Sequence, residues 1–262
     1  YIEDQYTVNN DFDSVTGLSQ IMQAEAIRFA VEAHRRHMPY CMGTLYWQFN
    51  DCWPVISWSS VDYRGNWKAL HYSAKNFFKP VIVSLRDLED VINVHVVNDQ
   101  HYGLNAVMQI ELFDFNGDLL FEDSFSMEVK QFSSCIARSI DKTVLFDGRD
   151  LSTLVLRAEL TSNGESLSKS HQFFKKPKEL KTPPPEFEHE VKYLNGKYEI
   201  TIRSYSFLYQ LHLISSQIRG VFSDNYFNML PSEVIVIEFD PNEDEQLEEL
   251  DLKIRTLYEM MN

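Results

Sequence analysis

The sequence is short of positive charge. Its 24 Lys and Arg stand against 39 Asp and Glu, a formal net charge of −15. Nucleic acid is bound through clustered Lys and Arg, so it is excluded as the main partner. An anionic membrane surface is disfavoured for the same reason. No apolar run is long enough to cross a bilayer. Cysteine is scarce: Cys41, Cys52 and Cys135 form no CxxC pair, and three cannot build a disulfide framework. They read as buried free thiols. The histidines show neither HExxH nor HxH spacing, so no metal site and no cofactor are expected. No Asn-x-Ser/Thr sequon occurs, which favours an unglycosylated source. The first residues, Tyr1 to Tyr6, carry no signal-peptide pattern and no initial Met. A processed protein or a piece of a longer one is expected.

What is present is core material. Hydrophobic residues make up 44% and aromatics 13% of 262 residues, enough for two or three packed domains. From Ser14 to His37 apolar residues recur at helical spacing, with Asp13 or Ser14 as cap and Pro39 as the stop. Thr44 to Phe49 reads as a buried strand, followed by an aromatic loop and a second helix over Trp67 to Phe77. Helix, strand, loop and helix form an α/β pattern.

After Pro80 the texture changes to short strands. Candidates are Val91–Val97, Ala106–Phe115, Leu119–Val129, Leu154–Leu160 and Leu167–Phe174, with turn signals at Asn116-Gly117 and Asn163-Gly164. Lys175 to Glu186 holds Pro183-Pro184-Pro185, where no packed element fits; it reads as a linker. Beyond it, Val191–Leu194, Lys197–Arg203, Phe207–Ile214, Val234–Phe239 and Leu250–Leu257 suggest a second, smaller sandwich. Asp240 to Glu249 reads as a solvated acidic loop.

One segment is distinctive: Gly43-Thr44-Leu45-Tyr46-Trp47-Gln48-Phe49-Asn50-Asp51-Cys52-Trp53-Pro54-Val55, then Ser57-Trp58-Ser59-Ser60-Val61-Asp62-Tyr63 and Trp67-Lys68-Ala69-Leu70-His71-Tyr72. It closely resembles the end of the barrel domain in β-mannosidases of glycoside hydrolase family 2. Leu18-Ser19-Gln20 with Gln23-Ala24-Glu25-Ala26-Ile27 resembles the preceding barrel helix. Phe222 to Phe227 with Leu230-Pro231 resembles the family's last immunoglobulin-like domain. The fold implied is mixed: the C-terminal segment of a (β/α)8 barrel over 1–80, then immunoglobulin-like β-sandwich domains over 81–178 and 187–262, with 179–186 as linker.

The resemblance implies a retaining exo-β-mannosidase, acting on terminal non-reducing β-D-mannose of a β-mannoside or oligosaccharide. Two glutamates do its chemistry. The family carries them in an Asn-Glu motif and a Glu-Phe/Tyr-Gly motif on earlier barrel strands, and segment 1–80 holds neither. No catalytic residue is therefore assigned here, and the chain alone is expected to be inert. Thr44–Phe49 would be the eighth barrel strand, its C-terminal end toward the active site. Trp47 would stack on the sugar, in related barrels before a non-proline cis peptide. Trp53 would wall a subsite, and Asn50 and Asp51 would contact hydroxyls.

Each residue has a plainer reading. Trp47 can pack in a barrel core, and Trp53-Pro54 can plug a loop. Trp58 and Trp67 read as core, Asp51 as a hydrogen-bonded frame rather than a general acid, His71 as packing, and Glu25 as structural. The family setting is compatible with a periplasmic, extracellular or lysosomal compartment. Three alternatives remain. One is a carbohydrate-binding module, although all four tryptophans lie at or before Trp67. Another is a structural or dimerisation module, self-associating through apolar faces that lack their barrel neighbours. The third is a related exo-β-glycosidase such as exo-β-glucosaminidase.

Overall fold

Asp11 starts the longest helix: its carboxylate accepts the Ser14 backbone N–H at 2.8 Å. The computed structural model describes residues 1–9, 11–242 and 250–262. A short α1 (Ile2–Gln5) precedes α2 (Phe12–Arg36), and α3 (Ala69–Phe77) follows. The cap lies two residues before the expected Asp13, because Phe12 already begins the helix. Among the described residues no helix is long and apolar enough to cross a membrane.

At the end of α2, two arginines do more than complement the helix dipole. Arg35 donates to the Phe77 carbonyl at 2.5 Å and to the Asp99 carboxylate at 2.6 Å. Arg36 donates to the Ser84 hydroxyl at 2.5 Å. These bonds tie α2 to α3 and to the segment that follows Pro80. Ala24 and Val31 of α2 pack on Ala69, Leu70, Ala74 and Phe77.

The barrel segment is not evident as a barrel. Thr44–Phe49, expected as a strand, joins no sheet; only isolated bridges occur nearby, Asn50 with Val61 and Val61 with Trp67. A strand is defined by its ladder of hydrogen bonds to neighbours, and among the described residues no strand lies alongside. The cysteines also differ from expectation: Cys52 and Cys135 are exposed and Cys41 is half-buried. Two sit on the outward-facing segment around residues 40–56, and Cys135 lies on a strand with little buried surface.

The immunoglobulin-like sandwiches do form. The first contains β1 (Val81–Asp87), β2 (Val91–Asn98), β3 (Leu104–Asp114), β4 (Leu119–Val129), β5 (Ser133–Asp141), a short α4 (Lys142–Phe146), β6 (Leu154–Ser162) and β7 (Glu165–Gln172). Sheet β1-β2-β5 faces sheet β4-β3-β6-β7, and every pairing is antiparallel. Val94, Val96, Met108, Ile110, Leu112 and Leu156 fill the space between them. The β3–β4 turn depends on Gly117 at φ 92°, while Asp114 accepts the N–H groups of Asn116 and Asp118. The strands β1 and β5 had no counterpart among the sequence expectations.

The 175–186 segment is pinned as well as extended. Pro177–Glu179 makes a 3-10 turn, Leu180 is buried, and Lys176 pairs with Asp4 at 2.7 Å. The second sandwich has β8 (Phe187–Leu194), β9 (Lys197–Ser204), β10 (Leu208–Ser215), β11 (Gly220–Phe222), β12 (Phe227–Met229), β13 (Val234–Pro241) and β14 (Leu252–Arg255). Its sheets are β11-β13-β9-β8 and β12-β10-β14, around Ile200, Ile202, Leu211 and Phe239. Residues 243–249 of the acidic run lie outside the described residues. The expected Leu250–Leu257 strand divides into β14 and α5 (Leu257–Met261), because Thr256 and Glu259 form a capping box. The last helix returns to the first long one: a Cβ at Gly17 of α2 would stand 2.6 Å from the Met260 sulfur.

Candidate functional site

The segment between α2 and α3 is built inside out. Its small polar residues turn inward: Ser59 and Ser60 are fully buried, and Asp51 nearly so. Many of its large apolar residues turn outward. Leu45 is 99% exposed, Ile56 90%, Trp47 76% and Trp53 65%. Apart from Val61, Tyr46 and Trp67, which pack inward, the segment is held chiefly by hydrogen bonds.

Asp51 is the first hub. Its carboxylate accepts the hydroxyls of Ser57 and Ser59, each at 2.6 Å, and the Lys68 ammonium at 3.1 Å. Lys68 also donates to Ser59 Oγ at 2.6 Å. The two hydroxyls, then Lys68, hold the Asp51 carboxyl down at about 2. The group is thus a fixed anion, and both of its oxygens face its own loop. The structure places Asp51 in the loop's own frame, with both oxygens accepting from Ser57, Ser59 and Lys68.

Ser60 is the second hub. Its hydroxyl donates to the Phe49 carbonyl at 2.9 Å and accepts from the Tyr46 hydroxyl at 3.0 Å. His71 Nδ1 lies 3.1 Å away. The single Ser60 proton goes to Phe49, so Nδ1 meets Ser60 as a donor. Burial lowers the His71 pKa, in keeping with a packed, neutral ring. Trp67 stacks edge-on against the same ring at 4.4 Å.

The outward side carries the aromatics. The Trp47–Gln48 peptide is cis. The Gln48 side chain accepts the Trp58 indole N–H at 3.1 Å and donates to the Asn50 carbonyl at 2.8 Å. Trp58 was expected in the core but is exposed; Gln23 of α2 holds its carbonyl at 2.8 Å, and the ring projects outward. Asn50 donates to the Asp51 carbonyl at 3.1 Å, and its side-chain oxygen has no partner among the described residues. Trp67, by contrast, packs inward as expected. The frame residues Ser57, Ser59, Ser60, Lys68 and Gln23 were not singled out by sequence. The Ser57-Trp58-Ser59-Ser60 run was the available signal.

Two family models match the chain. One, a mannosidase Ig/CBM-like domain, covers residues 90–179, and the other, an Ig-fold domain, covers 182–260. β-Mannosidase A of Aspergillus oryzae is 25% identical over 267 residues, spanning 93% of this chain and 29% of its own length. The chain belongs with the C-terminal part of the glycoside hydrolase family 2 β-mannosidases. A second β-mannosidase, from Capra hircus, is 39% identical over 95 residues, which is 34% of this chain and 11% of the relative. In fold, the chain is similar to a solved β-D-mannosidase from Dictyoglomus thermophilum. The TM-score is 0.86 and the identity 24%, over 98% of this chain and 31% of that one. The chain thus spans less than a third of the β-mannosidases named here. Both family models begin after Pro80, whereas the Aspergillus alignment and the Dictyoglomus superposition span nearly the whole chain.

Proposed function

We propose that this chain is the C-terminal part of a retaining exo-β-mannosidase and that its 43–68 loop contributes a wall of the sugar site. The observation that carries this reading is the Trp47 indole, solvent-facing on a loop whose polar groups are satisfied internally. A flat aromatic face held on a fixed frame suits the apolar face of a pyranose. The Asn50 side-chain oxygen suits a hydroxyl donor, and Trp53 a neighbouring subsite.

The chemistry belongs to two glutamates of the parent protein. One protonates the leaving oxygen. The other attacks the anomeric carbon from about 5–5.5 Å away. Asp51 does neither: a carboxyl held near 2 carries no proton to give at neutral pH, and it faces its own loop. In the parent, Thr44–Phe49 gains ladder partners from the other barrel strands, and those strands cover Leu45 and Ile56.

Turnover of chromogenic β-mannoside and β-glucosaminide by this chain and by the parent tests the proposal. The parent should hydrolyse the mannoside and this chain neither substrate. In the parent, Trp47→Ala should raise KM. Turnover by this chain at the parent's rate, or preference for the glucosaminide, would overturn the reading.

A further inference from the structure

β8 is the outermost strand of its sheet, paired on one side with β9 and, among the described residues, with no strand on the other. An open edge offers a row of backbone N–H and C=O groups to any further strand. Proteins blunt such edges with proline, a bulge or an unpaired lysine. None of these protects β8. It holds no proline, and its eight residues pair with β9 in an unbroken register. Its one lysine, Lys192, is neutralised by Glu190 at 3.0 Å. Every residue from Glu188 to Leu194 is exposed.

The exposed apolar side chains of β8 lie on the core side of the sheet. His189, Val191 and Tyr193 stand opposite Ile202, Ile200 and Tyr198 of β9, which are buried. The facing sheet, β12-β10-β14, has three strands against four. Val191 and Tyr193 therefore overhang it and stay exposed. A strand added at this edge would cover them from the side.

The sequence of β8 is complementary to itself. Residues directly opposite in an antiparallel pair share a face, so a twofold axis must pass beside a residue and not between two. Centring on His189 sets Glu188 against Glu190. Centring on Glu190 or on Lys192 sets that residue against its own copy. Centring on Val191 sets Glu190 against Lys192 in both directions and His189 against Tyr193. Opposite charges across a pair stabilise it, and like charges destabilise it. Only the Val191 register has no like charges facing. Two copies at −15 each repel at long range, but salt screens that repulsion beyond about 8 Å, so the contacts at the edge decide.

We propose that β8 is a dimerisation edge. A second copy of this chain adds its own β8 antiparallel, Val191 beside Val191, and the two four-stranded sheets become one continuous sheet. The contact is separate from the Trp47 loop and independent of the role given to that loop.

Sedimentation equilibrium of this chain tests it, with circular dichroism as the check of folding. The expected result is a reversible monomer–dimer equilibrium. Lys192→Glu and Glu190→Lys should each raise the dissociation constant about tenfold. Each change also breaks the pair within the strand, so mixing the two variants is decisive. In the mixed dimer alone, Lys again faces Glu at both positions, and an equimolar mixture should associate as tightly as the unaltered chain. Val191→Lys should leave a monomer, and Trp47→Ala should leave the dimer unchanged. All four changes fall on exposed residues, where folding is tolerant. A monomer at every concentration would overturn the proposal. So would a dimer that Trp47→Ala removes, a dimer that both charge changes leave intact, or a mixture that associates no better than its components.

Discussion

The aromatic loop and the sandwiches solve the same problem with opposite materials. In the sandwiches, Val94, Met108, Ile110 and Leu112 are wholly buried between sheets. In the loop, the wholly buried residues are Ser59 and Ser60, and the exposed ones are Leu45, Trp47 and Ile56. Burying a large aliphatic side chain contributes about 1.5–3 kcal/mol. A typical internal hydrogen bond contributes about 0.5–1.5 kcal/mol net. The loop is therefore ordered by weaker, directional contacts. Its apolar side chains are left free of folding duty, available to touch something else.

Four measurements sharpen or break this contrast. The largest effect belongs to the core. Leu112→Ala should lower the stability of the chain by about 2–5 kcal/mol in chemical denaturation. A loss near zero would mean that the first sandwich is not held by its inter-sheet layer.

Acid should act next, and on the sandwiches first. His212 is buried against Tyr226, with ring centroids 5.1 Å apart, and burial lowers its pKa to about 4. The unfolded chain binds this proton near pH 6.5 and the folded chain only near 4. Stability from this group is thus complete above about pH 6.5 and falls as pH drops to about 4. The loss is on the order of 3 kcal/mol. Melting temperatures across that interval should fall, and His212→Gln should flatten the slope. Asp51 behaves in the opposite sense. Its carboxyl is held at about 2, so its contribution persists through the histidine interval and fades only between about 4 and 2. A loop that loosened together with the sandwich above pH 4 would contradict the separation.

Lys68→Met should act locally. The global unfolding midpoint should change little, while acrylamide quenching of tryptophan emission rises, because Asp51 loses its cation and the frame relaxes. The smallest effect is expected for Trp47→Ala. An exposed ring away from caps and ion pairs contributes within about 0.5 kcal/mol of stability. A larger destabilisation would make Trp47 a packing residue and remove the argument for sugar contact.

Legibility in the sequence followed the same division. The extent of β4 was read to the residue, because Asn116-Gly117 and alternating apolar residues fix a hairpin locally. The β5 strand escaped: Ser133 to Asp141 alternates poorly, and its pairing with β2 shifts register opposite Val94 and His95. The β1 strand escaped because its apolar run adjoins Pro80 without a turn signal between them. Trp47, Trp53 and Asn50 stand outward, but hydrophobicity alone could not say which aromatics would be buried, and Trp58 was misread. The Asp51, Ser57, Ser59 and Lys68 frame closes across 17 residues. No local pattern announces such a closure; it exists only once Lys68 has been brought back to the loop.

Gly17 has a further consequence, for the order of events during synthesis. The notch it leaves on the first long helix is filled by the Met260 sulfur, two residues from the last. Gly17 is synthesised before both sandwiches and Met260 after them. Each sandwich can close as its strands emerge, whereas the helix that supports the aromatic loop reaches its final seat only once both sandwiches and α5 have been made.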